Sequence, residues 1–292
     1  MRRVLVTGAA GHLGRAVVDE LTARGVAVTA LELRPPAVEL PVDRIVVGSA
    51  SDVEAVRDAL AGVDAVVHLA ALREPSLGTA EEVFVGNTSA TFTVLEQSAQ
   101  AGVRRAVVAS SYALNGIVFA RQERHPAYLP IDELIPPQIE DPYALSKQTD
   151  ELTGAMMWWR HGLSVCALRF PFIGGLEDDL PKRAQDFLDD LTLGATELWT
   201  YLEKRDAATA SVAGLTEPAP GFHVIGLAAP ETLVPYPTEQ LLDAFYPTVP
   251  RRTTFPGRAA AIDSGKAHAL LRWSPRHLWT TEQRDLGTRS AA

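Results

Sequence analysis

Two residues whose types and spacing could carry chemistry are Tyr143 and Lys147, in the segment Tyr-Ala-Leu-Ser-Lys. Residues four apart lie on one face of a helix, one turn from each other. A neighbouring ammonium favours the phenolate and lowers the pKa of a phenol from its ordinary value of about 10. The spacing therefore predicts that Tyr143 acts as a general acid or base whose proton affinity Lys147 adjusts.

A pair of serines, Ser110 and Ser111, ends the β-rich run that precedes this helix. Ligands of doubly wound sheets bind at the carboxyl ends of the strands. We expect Ser111 to hold the reacting substrate oxygen, Tyr143 to give or take its proton, and Lys147 also to bind a nicotinamide ribose. The predicted chemistry is hydride transfer between a nicotinamide and an alcohol or carbonyl carbon, with the protein supplying orientation.

A glycine-rich loop follows the first predicted strand, with Gly8, Gly11 and Gly14 in a G-x-x-G-x-x-G spacing. Glycines permit a tight turn and a close approach of backbone N–H groups to a pyrophosphate, which a helix N-terminus also favours. We therefore predict a dinucleotide-binding loop rather than an ordinary βα turn. His12 is expected to lie near the phosphates and not to be a catalyst.

An acidic residue, Glu32, ends the second predicted strand, 18 positions after Gly14. A carboxylate there can accept hydrogen bonds from both adenosine ribose hydroxyls and would repel a 2′-phosphate. Glu32 thus favours NAD over NADP. Arg34 could pair with a phosphate and soften that preference, so NADP stays an alternative.

Apolar runs alternate with helical patterns over the first 170 residues. Strands are predicted at residues 3–7, 26–31, 44–47, 64–69, 105–110 and 164–169. Helices are predicted at residues 13–24, 52–61 (with Ser51 as N-cap), 80–101 and 142–161. Such alternation predicts an α/β fold with a Rossmann-type, doubly wound parallel sheet.

The later part of the chain is less regular. Helices are predicted at residues 181–193, 198–215, 238–245 and 263–271, and a strand at residues 221–225. We expect a dinucleotide-binding domain over residues 1–175. Residues 176–292 are expected to form most of a small C-terminal substrate-binding lobe, with parts of the chain returning to the sheet.

Composition limits the classes of function. With 27 basic and 36 acidic residues among 292, the net charge is −9, which gives no general attraction to nucleic acid or anionic membranes. No apolar stretch reaches the roughly 18 residues of a membrane span. Cys166 is the only cysteine, which excludes an intramolecular disulfide and a cysteine-based metal site. A cytoplasmic protein without a metal, nucleic-acid or membrane partner is expected.

As a set, these motifs resemble the extended short-chain dehydrogenase/reductase family, which includes NAD-dependent nucleotide-sugar epimerases and dehydratases. The resemblance covers residues 1–175 and rests on the following segments: Gly8–Gly14, His68–Ala71, Asn87, Ser110-Ser111, Tyr143–Lys147 and Leu168–Pro171.

The resemblance implies further contacts with the cofactor. The residues it places along the cofactor are Gly8, Gly11, His12, Leu13, Gly14, Glu32, Ser49, Ala50, Leu69, Ala70, Ala71, Asn87, Tyr143, Lys147, Phe170 and Pro171. Ser49 stands where the family usually has an acidic residue near the adenine, which weakens that contact. The resemblance also implies a homodimer formed through the two long helices, at residues 80–101 and 142–161.

The substrate side is less determined. Dehydratase members carry an Asp-Glu pair beside the hydroxyl residue, whereas here Ser111 is followed by Tyr-Ala-Leu-Asn. The difference argues against a dehydratase. Substrate contacts are predicted for Arg73, Ser111, Tyr112, Asn115 and Phe172.

Three functions remain open from the sequence. The leading one is an NAD(P)-dependent oxidoreductase acting on an alcohol or ketone of a small molecule, such as a sugar or sugar acid. The second is an NAD-dependent nucleotide-sugar 4-epimerase, which uses the same Ser-Tyr-Lys site but returns the hydride to the other face. The third is a non-catalytic dinucleotide sensor, for which loss of the tyrosine or lysine would be expected, and both are present.

Overall fold

The N-terminal half alternates strands and helices in the computed structural model, which describes residues 1–286. Its strands are β1 (Arg3–Thr7), β2 (Ala27–Glu32), β3 (Arg44–Val47), β4 (Ala65–His68), β5 (Arg105–Ser111) and β6 (Ser164–Phe170). Its helices are α1 (His12–Ala23), α2 (Val53–Ala59), α3 (Ala80–Gln100) and α4 (Pro142–His161). Short 3₁₀ turns lie at Pro75–Leu77 and Tyr112–Asn115.

The C-terminal half has shorter elements. Its strands are β7 (Ile173–Gly174), β8 (Leu202–Glu203) and β9 (Phe222–Gly226). Its helices are α5 (Asp179–Asp189), α6 (Leu191–Thr196), α7 (Lys204–Thr216), α8 (Thr238–Phe245) and α9 (Gly265–Leu271).

Seven strands form one parallel sheet in the order β3-β2-β1-β4-β5-β6-β9. The order reverses between β1 and β4, and a crevice for a ligand opens at such a switch point. The predicted doubly wound α/β fold is confirmed. The last strand, β9, brings the chain back from the C-terminal half to the edge of the sheet beside β6.

Alternate residues of each strand point to opposite sides of the sheet, and helices cover both faces. In β1, Val4 and Val6 pack on the face covered by α1, α7 and α9. Leu5 packs on the other face, which α2, α3 and α4 cover. This alternation holds the strand ends, and therefore the site residues that follow them, on a rigid support.

Helix starts are fixed by local hydrogen bonds. The Thr79 hydroxyl and the Glu82 carboxylate form a reciprocal capping box at α3. The Asp141 carboxylate accepts from Ala144 N ahead of Pro142, which fixes the start of α4 just before Tyr143. At α2 the prediction of Ser51 as N-cap was wrong, because the Asp52 carboxylate accepts from Glu54 N.

A third apolar core lies under α5, α6 and α8 and is rich in aromatic residues such as Phe187, Trp199, Tyr201 and Tyr246. Here the sequence prediction was wrong in two places. The predicted helix at residues 181–193 is divided at Asp190, whose carboxylate caps α6 by accepting from Thr192 N.

The predicted helix at residues 198–215 begins only at Lys204. Leu198 and Trp199 have φ values of 52° and 51°, which are left-handed and incompatible with a helix. Both side chains are buried. A Cβ at Gly194 would lie 2.1 Å from Trp199 Cδ1, so the missing side chain of Gly194 leaves the room for the indole. Burial of these two side chains offsets a strained backbone.

Residues 1–286 contain no helix that combines the length and the apolar character needed to cross a membrane.

Candidate active site

A cavity of about 650 Å³ opens at the carboxyl ends of the strands, between the sheet and the C-terminal elements. It brings together most residues that the sequence predicted for the site. These are Gly8, Gly11, His12, Leu13, Gly14, Leu69, Ala71, Arg73, Ser111, Tyr112, Asn115, Tyr143, Lys147, Phe170, Pro171 and Phe172. Five predicted cofactor residues are not part of its lining: Glu32, Ser49, Ala50, Ala70 and Asn87.

The glycine loop forms one end of the cavity. Gly8 has a φ of 69°, and a Cβ there would lie 2.9 Å from Ala70 N. A Cβ at Gly14 would lie 2.0 Å from the Gly8 carbonyl oxygen, so only glycine lets α1 pack this closely on the loop. The N-cap of α1 is Gly11, with no side chain to cover the first N–H groups. The cradle therefore fits the pyrophosphate of a dinucleotide.

Glu32 lies beside this loop at the end of β2. Its Oε1 accepts a hydrogen bond from Ala10 N at 2.6 Å. Burial raises the pKa of Glu32, although the Ala10 N–H and the Arg15 guanidinium offset part of that rise. The carboxylate thus braces the loop with one oxygen.

Three of the other residues outside the cavity have structural contacts. Asn87 Oδ1 accepts from Leu72 N, and its Nδ2 donates to Leu72 O and to Ser146 Oγ, which ties α3 to the loop after β4 and to α4. Ala70 N donates to Thr7 Oγ1. Ser49 Oγ lies 2.8 Å from Ser51 Oγ. Cofactor contact by these residues stays a prediction.

The two serines after β5 have different surroundings. Ser110 Oγ donates to Glu151 Oε1 at 2.6 Å, and Arg169 holds both oxygens of Glu151, so Ser110 is part of a buried link between β5, α4 and β6. Ser111 Oγ accepts from Ala113 N at 3.1 Å. Because that bond uses only a lone pair, the Ser111 proton stays free to be donated to a ligand.

Tyr143 lies one turn from Lys147 on α4, with the Lys147 Nζ 5.7 Å from the centre of the phenol ring. Phe119 packs edge-on against the same ring, with a centroid distance of 5.8 Å. Among the described residues none forms a hydrogen bond with the Tyr143 hydroxyl. The phenol is thus fixed by packing and presents its hydroxyl to the cavity.

The Lys147 ammonium is buried and donates to Asp150 Oδ2 at 3.2 Å. Burial by itself would lower the pKa of Lys147, but the neighbouring Asp150 carboxylate and the Tyr143 phenol outweigh that effect and raise it. Lys147 therefore remains an ammonium beside the phenol.

A neutral histidine lies behind this pair. His68 Nδ1 is 2.7 Å from Thr7 Oγ1, and Nε2 is 3.1 Å from Thr91 Oγ1. Thr7 Oγ1 already accepts from Leu69 N and Ala70 N, so we assign its proton to His68 Nδ1 and the ring proton to Nε2. Burial, with the Lys147 ammonium adding to it, lowers the pKa of His68 to about 3.

The predicted substrate residues differ in what they offer. Arg73 is exposed at the rim. Asn115 is buried, and its Oδ1 accepts from Ile117 N, which leaves the amide nitrogen as the free donor of the side chain. The Tyr112 ring lines the cavity, but its hydroxyl is buried against Gly226.

Residues from the C-terminal elements complete the cavity, and sequence reasoning missed them. Arg183 of α5 and Glu197 after α6 form an ion pair in the wall, and the Arg183 guanidinium lies 5.1 Å from the Phe172 ring centre and 4.9 Å from that of Phe187. Arg183 and Glu197 are 14 positions apart without a motif, so no sequence signal joins them.

A second group that the sequence did not predict lies near the glycine loop. Ligand-type atoms of His12, Asp178 and Asp179 lie within 4.8 Å of one another. They already have charged partners, since His12 Nε2 is 3.1 Å from Asp179 and Asp178 is 2.8 Å from the Lys204 ammonium. We regard the group as a contact between the loop and the C-terminal elements.

Comparison with known protein families gives a match that covers most of the chain. The model of the NAD dependent epimerase/dehydratase family matches residues 4–225. The chain belongs to this family. Membership confirms the resemblance that the glycine loop and the Tyr143–Lys147 pair indicated.

Curated relatives match over part of the chain. Sterol demethylase protein B of Methylococcus capsulatus is 40% identical over 117 residues, 39% of this chain and 35% of that protein. An L-arabinose 1-dehydrogenase (NAD(P)(+)) of Haloferax volcanii is 32% identical, covering 59% of this chain and 68% of that protein. A uronate dehydrogenase of Pseudomonas putida is 29% identical, covering 57% and 59%. The chain thus spans between about a third and two thirds of the length of these relatives.

Solved structures extend the likeness in fold to nearly the whole chain. A short-chain dehydrogenase/reductase superfamily protein of Agrobacterium tumefaciens with bound NAD has a TM-score of 0.71 and 24% identity, covering 95% of this chain and 94% of that one. A UDP-glucose 4-epimerase of Thermotoga maritima has a TM-score of 0.70 and 19% identity, covering 94% of each chain.

Proposed function

We propose that the protein is an NAD(P)-dependent oxidoreductase that transfers a hydride between the nicotinamide and an alcohol or ketone carbon of a small molecule. The observation that carries this proposal is that Ser111, Tyr143 and Lys147 line the same cavity as the glycine loop. A hydroxyl donor, a free phenol and an ammonium around one space match the needs of proton transfer to a substrate oxygen.

The residues present fit a dinucleotide. Gly8, Gly11 and Gly14 would hold the pyrophosphate, and Phe170 and Pro171 would pack by the nicotinamide. Glu32 would accept hydrogen bonds from the adenosine ribose, for which NAD is the better match. When bound, the cofactor accepts or supplies the hydride.

Three side chains of the protein have roles in the proposed reaction. The Ser111 hydroxyl donates to the substrate oxygen and orients it. The Tyr143 phenol gives a proton to that oxygen during reduction and takes it back during oxidation. Lys147 holds positive charge beside the phenol, which favours the phenolate that oxidation requires.

The substrate class we propose is a sugar or sugar acid. The wall opposite the sheet contains the paired charges of Arg183 and Glu197, next to the Phe172 ring. Together they offer donors and acceptors to hydroxyl groups and an apolar surface to a sugar ring. The arabinose and uronate dehydrogenases among the relatives support the same class.

The test is a screen of purified protein with NAD and NADP against sugars, sugar acids and simple ketones, followed by absorbance of the reduced nicotinamide. On the substrate found, Tyr143→Phe should lower kcat by two to three orders of magnitude, the scale of general acid–base catalysis. Because the hydroxyl has no hydrogen-bond partner among the described residues, stability and NAD binding should be unchanged. Full activity of Tyr143→Phe would reject the assigned role.

A second candidate is a nucleotide-sugar 4-epimerase. The family is named after epimerases, and the Thermotoga protein with a similar fold is a UDP-glucose 4-epimerase. An epimerase should purify with NAD tightly held and show no net cofactor turnover. Release of reduced nicotinamide in proportion to product would favour the dehydrogenase.

We also propose a homodimer formed through α3 and α4. Their outer faces carry exposed apolar side chains spaced seven residues apart, Val85 and Phe92 on α3 and Leu145, Leu152 and Trp159 on α4. Trp159 is 83% exposed and Leu152 is 62% exposed. Such a patch marks an interaction surface. Trp159→Glu should shift the protein to a monomer by light scattering, whereas a wild type that is already monomeric would refute the dimer.

A further inference from the structure

A third charged side chain lies on the face of α4 that carries the Tyr143–Lys147 pair. Asp150 is seven residues after Tyr143 and three after Lys147, so all three share one side of the helix. The Lys147 and Asp150 side chains are only 5% and 2% exposed. The carboxylate and the ammonium are therefore held against each other beside the phenol.

Asp150 is the only acceptor that the described residues provide for the Lys147 ammonium, with Nζ 3.2 Å from Oδ2. A flexible lysine needs such a fixed partner to point its ammonium at one place. Removing a carboxylate from a buried pair leaves the other charge uncompensated. Both the position of the Lys147 ammonium and its electric field therefore depend on the Asp150 carboxylate.

The other titratable groups around this pair are accounted for. His68, on β4, is neutral and contacts the hydroxyl of Thr91, which in turn hydrogen-bonds to Asp150. Glu151, the next residue on α4, has its charge balanced by Arg169 across two hydrogen bonds. The charge that acts on the Lys147 ammonium from within hydrogen-bond distance is therefore that of Asp150.

We propose that Asp150 is a positioning residue that fixes the Lys147 ammonium and weakens its field at Tyr143, so that proton transfer by Tyr143 operates at a higher pH than the Tyr–Lys pair alone would give. Its catalytic consequence rests on the proposed function. Its electrostatic basis does not, because the phenol can be titrated without a substrate.

The test compares the wild type with Asp150→Asn, which removes the charge and nearly preserves the volume. The phenolate spectrum of Tyr143 is obtained as a difference from Tyr143→Phe, separately in each background. In Asp150→Asn the phenol should titrate at a pH lower by about one unit, the lower end of the range for an uncompensated charge within about 4–6 Å. In an active enzyme, the acid limb of kcat/KM for alcohol oxidation should move in the same direction.

A matched control is Glu96→Gln. Glu96 pairs with His161 at the other end of α4, 14 residues from Lys147, or about 21 Å at a rise of about 1.5 Å per residue. This variant loses the carboxylate of an ion pair between α3 and α4, but its Tyr143 phenol should titrate like that of the wild type. Restoring the charge with Asp150→Glu should return the phenol titration towards that of the wild type.

The outcomes are distinguishable. Titration of Tyr143 that is unchanged or moved to higher pH in Asp150→Asn overturns the proposal, whether or not the enzyme is active. A lower titration with no activity on any sugar or ketone keeps the role of Asp150 and rejects the proposed function. If Asp150→Asn does not fold, Asp150→Ser replaces it. If neither variant folds while Asp150→Glu does, the role of Asp150 is purely structural and the proposal is overturned.

Discussion

The glycine loop gives a prediction whose size follows from the geometry. In Gly14→Ala the new Cβ would lie 2.0 Å from Gly8 O and 2.8 Å from Ala9 C, both of them backbone atoms that cannot rotate away. Helix α1 must then move by about 1 Å to reach the closest separation that folded proteins tolerate. Overpacking of this kind costs about 1–3 kcal/mol, and we take the upper end, about 3 kcal/mol, because both obstacles are backbone.

Alanine gains about 1 kcal/mol over glycine inside a helix, which leaves a net loss of about 2 kcal/mol in Gly14→Ala. For a chain of 292 residues, an unfolding entropy of about 2.1 cal/mol/K per residue makes this a fall of about 3 °C in Tm. The displaced N–H groups should also weaken NAD binding by at least about tenfold, or about 1.4 kcal/mol. Thermal unfolding and calorimetric titration with NAD measure the two effects.

Gly11→Ala is the matched control, because it lies in the same loop but its Cβ would be 3.1 Å from Gly8 O. A shift of a few tenths of an ångström relieves that contact, so Gly11→Ala should lose less stability than Gly14→Ala. Equal stability of Gly14→Ala and the wild type, or the reverse order of the two variants, would refute the packing argument.

Two further predictions concern cofactor choice and pH. Glu32→Ala should raise the affinity for NADP relative to NAD, whereas Glu39→Ala, in the exposed loop after β2, should not; a wild type that prefers NADP would contradict the role given to Glu32. The pKa of His68 is about 3 in the fold against 6.5 for the free side chain, so the unfolded chain binds more protons between these values. The free energy of unfolding should therefore fall as the pH drops from 6.5 towards 3, by up to about 1.4 kcal/mol per pH unit, and urea unfolding should show a shallower fall in His68→Gln. Identical slopes in the two proteins would show that His68 does not carry this dependence.

Local spacing carried most of the correct predictions for the N-terminal half. The bounds predicted for α4, residues 142–161, agree with the structure, because Pro142 starts the helix and Gly162, with a φ of 68°, ends it. Strand runs such as β1 and β3 were equally clear. Each of these signals lies within a few residues of the feature it predicts.

Predictions were wrong where contacts between distant segments decide the backbone. Leu198 and Trp199 have good helical neighbours in the sequence, but burial of the Trp199 indole over Gly194 holds both residues in a left-handed conformation. Substrate contact was predicted for Tyr112, and packing against Gly226 of β9 buries its hydroxyl, so that the ring lines the cavity. The sequence has no local mark for either contact.

The sequence by itself determined the chemical groups of the candidate site: the glycine loop, Ser111, and the Tyr143–Lys147 pair one helical turn apart. Their convergence on one cavity was decided by the tertiary structure, since it depends on parallel strands whose carboxyl ends meet at one edge. The structure also decided which charges surround them. Spacing places Asp150 on the helix face of Lys147, but burial excludes water from the pair and keeps His68 neutral, and burial is a property of the packed fold.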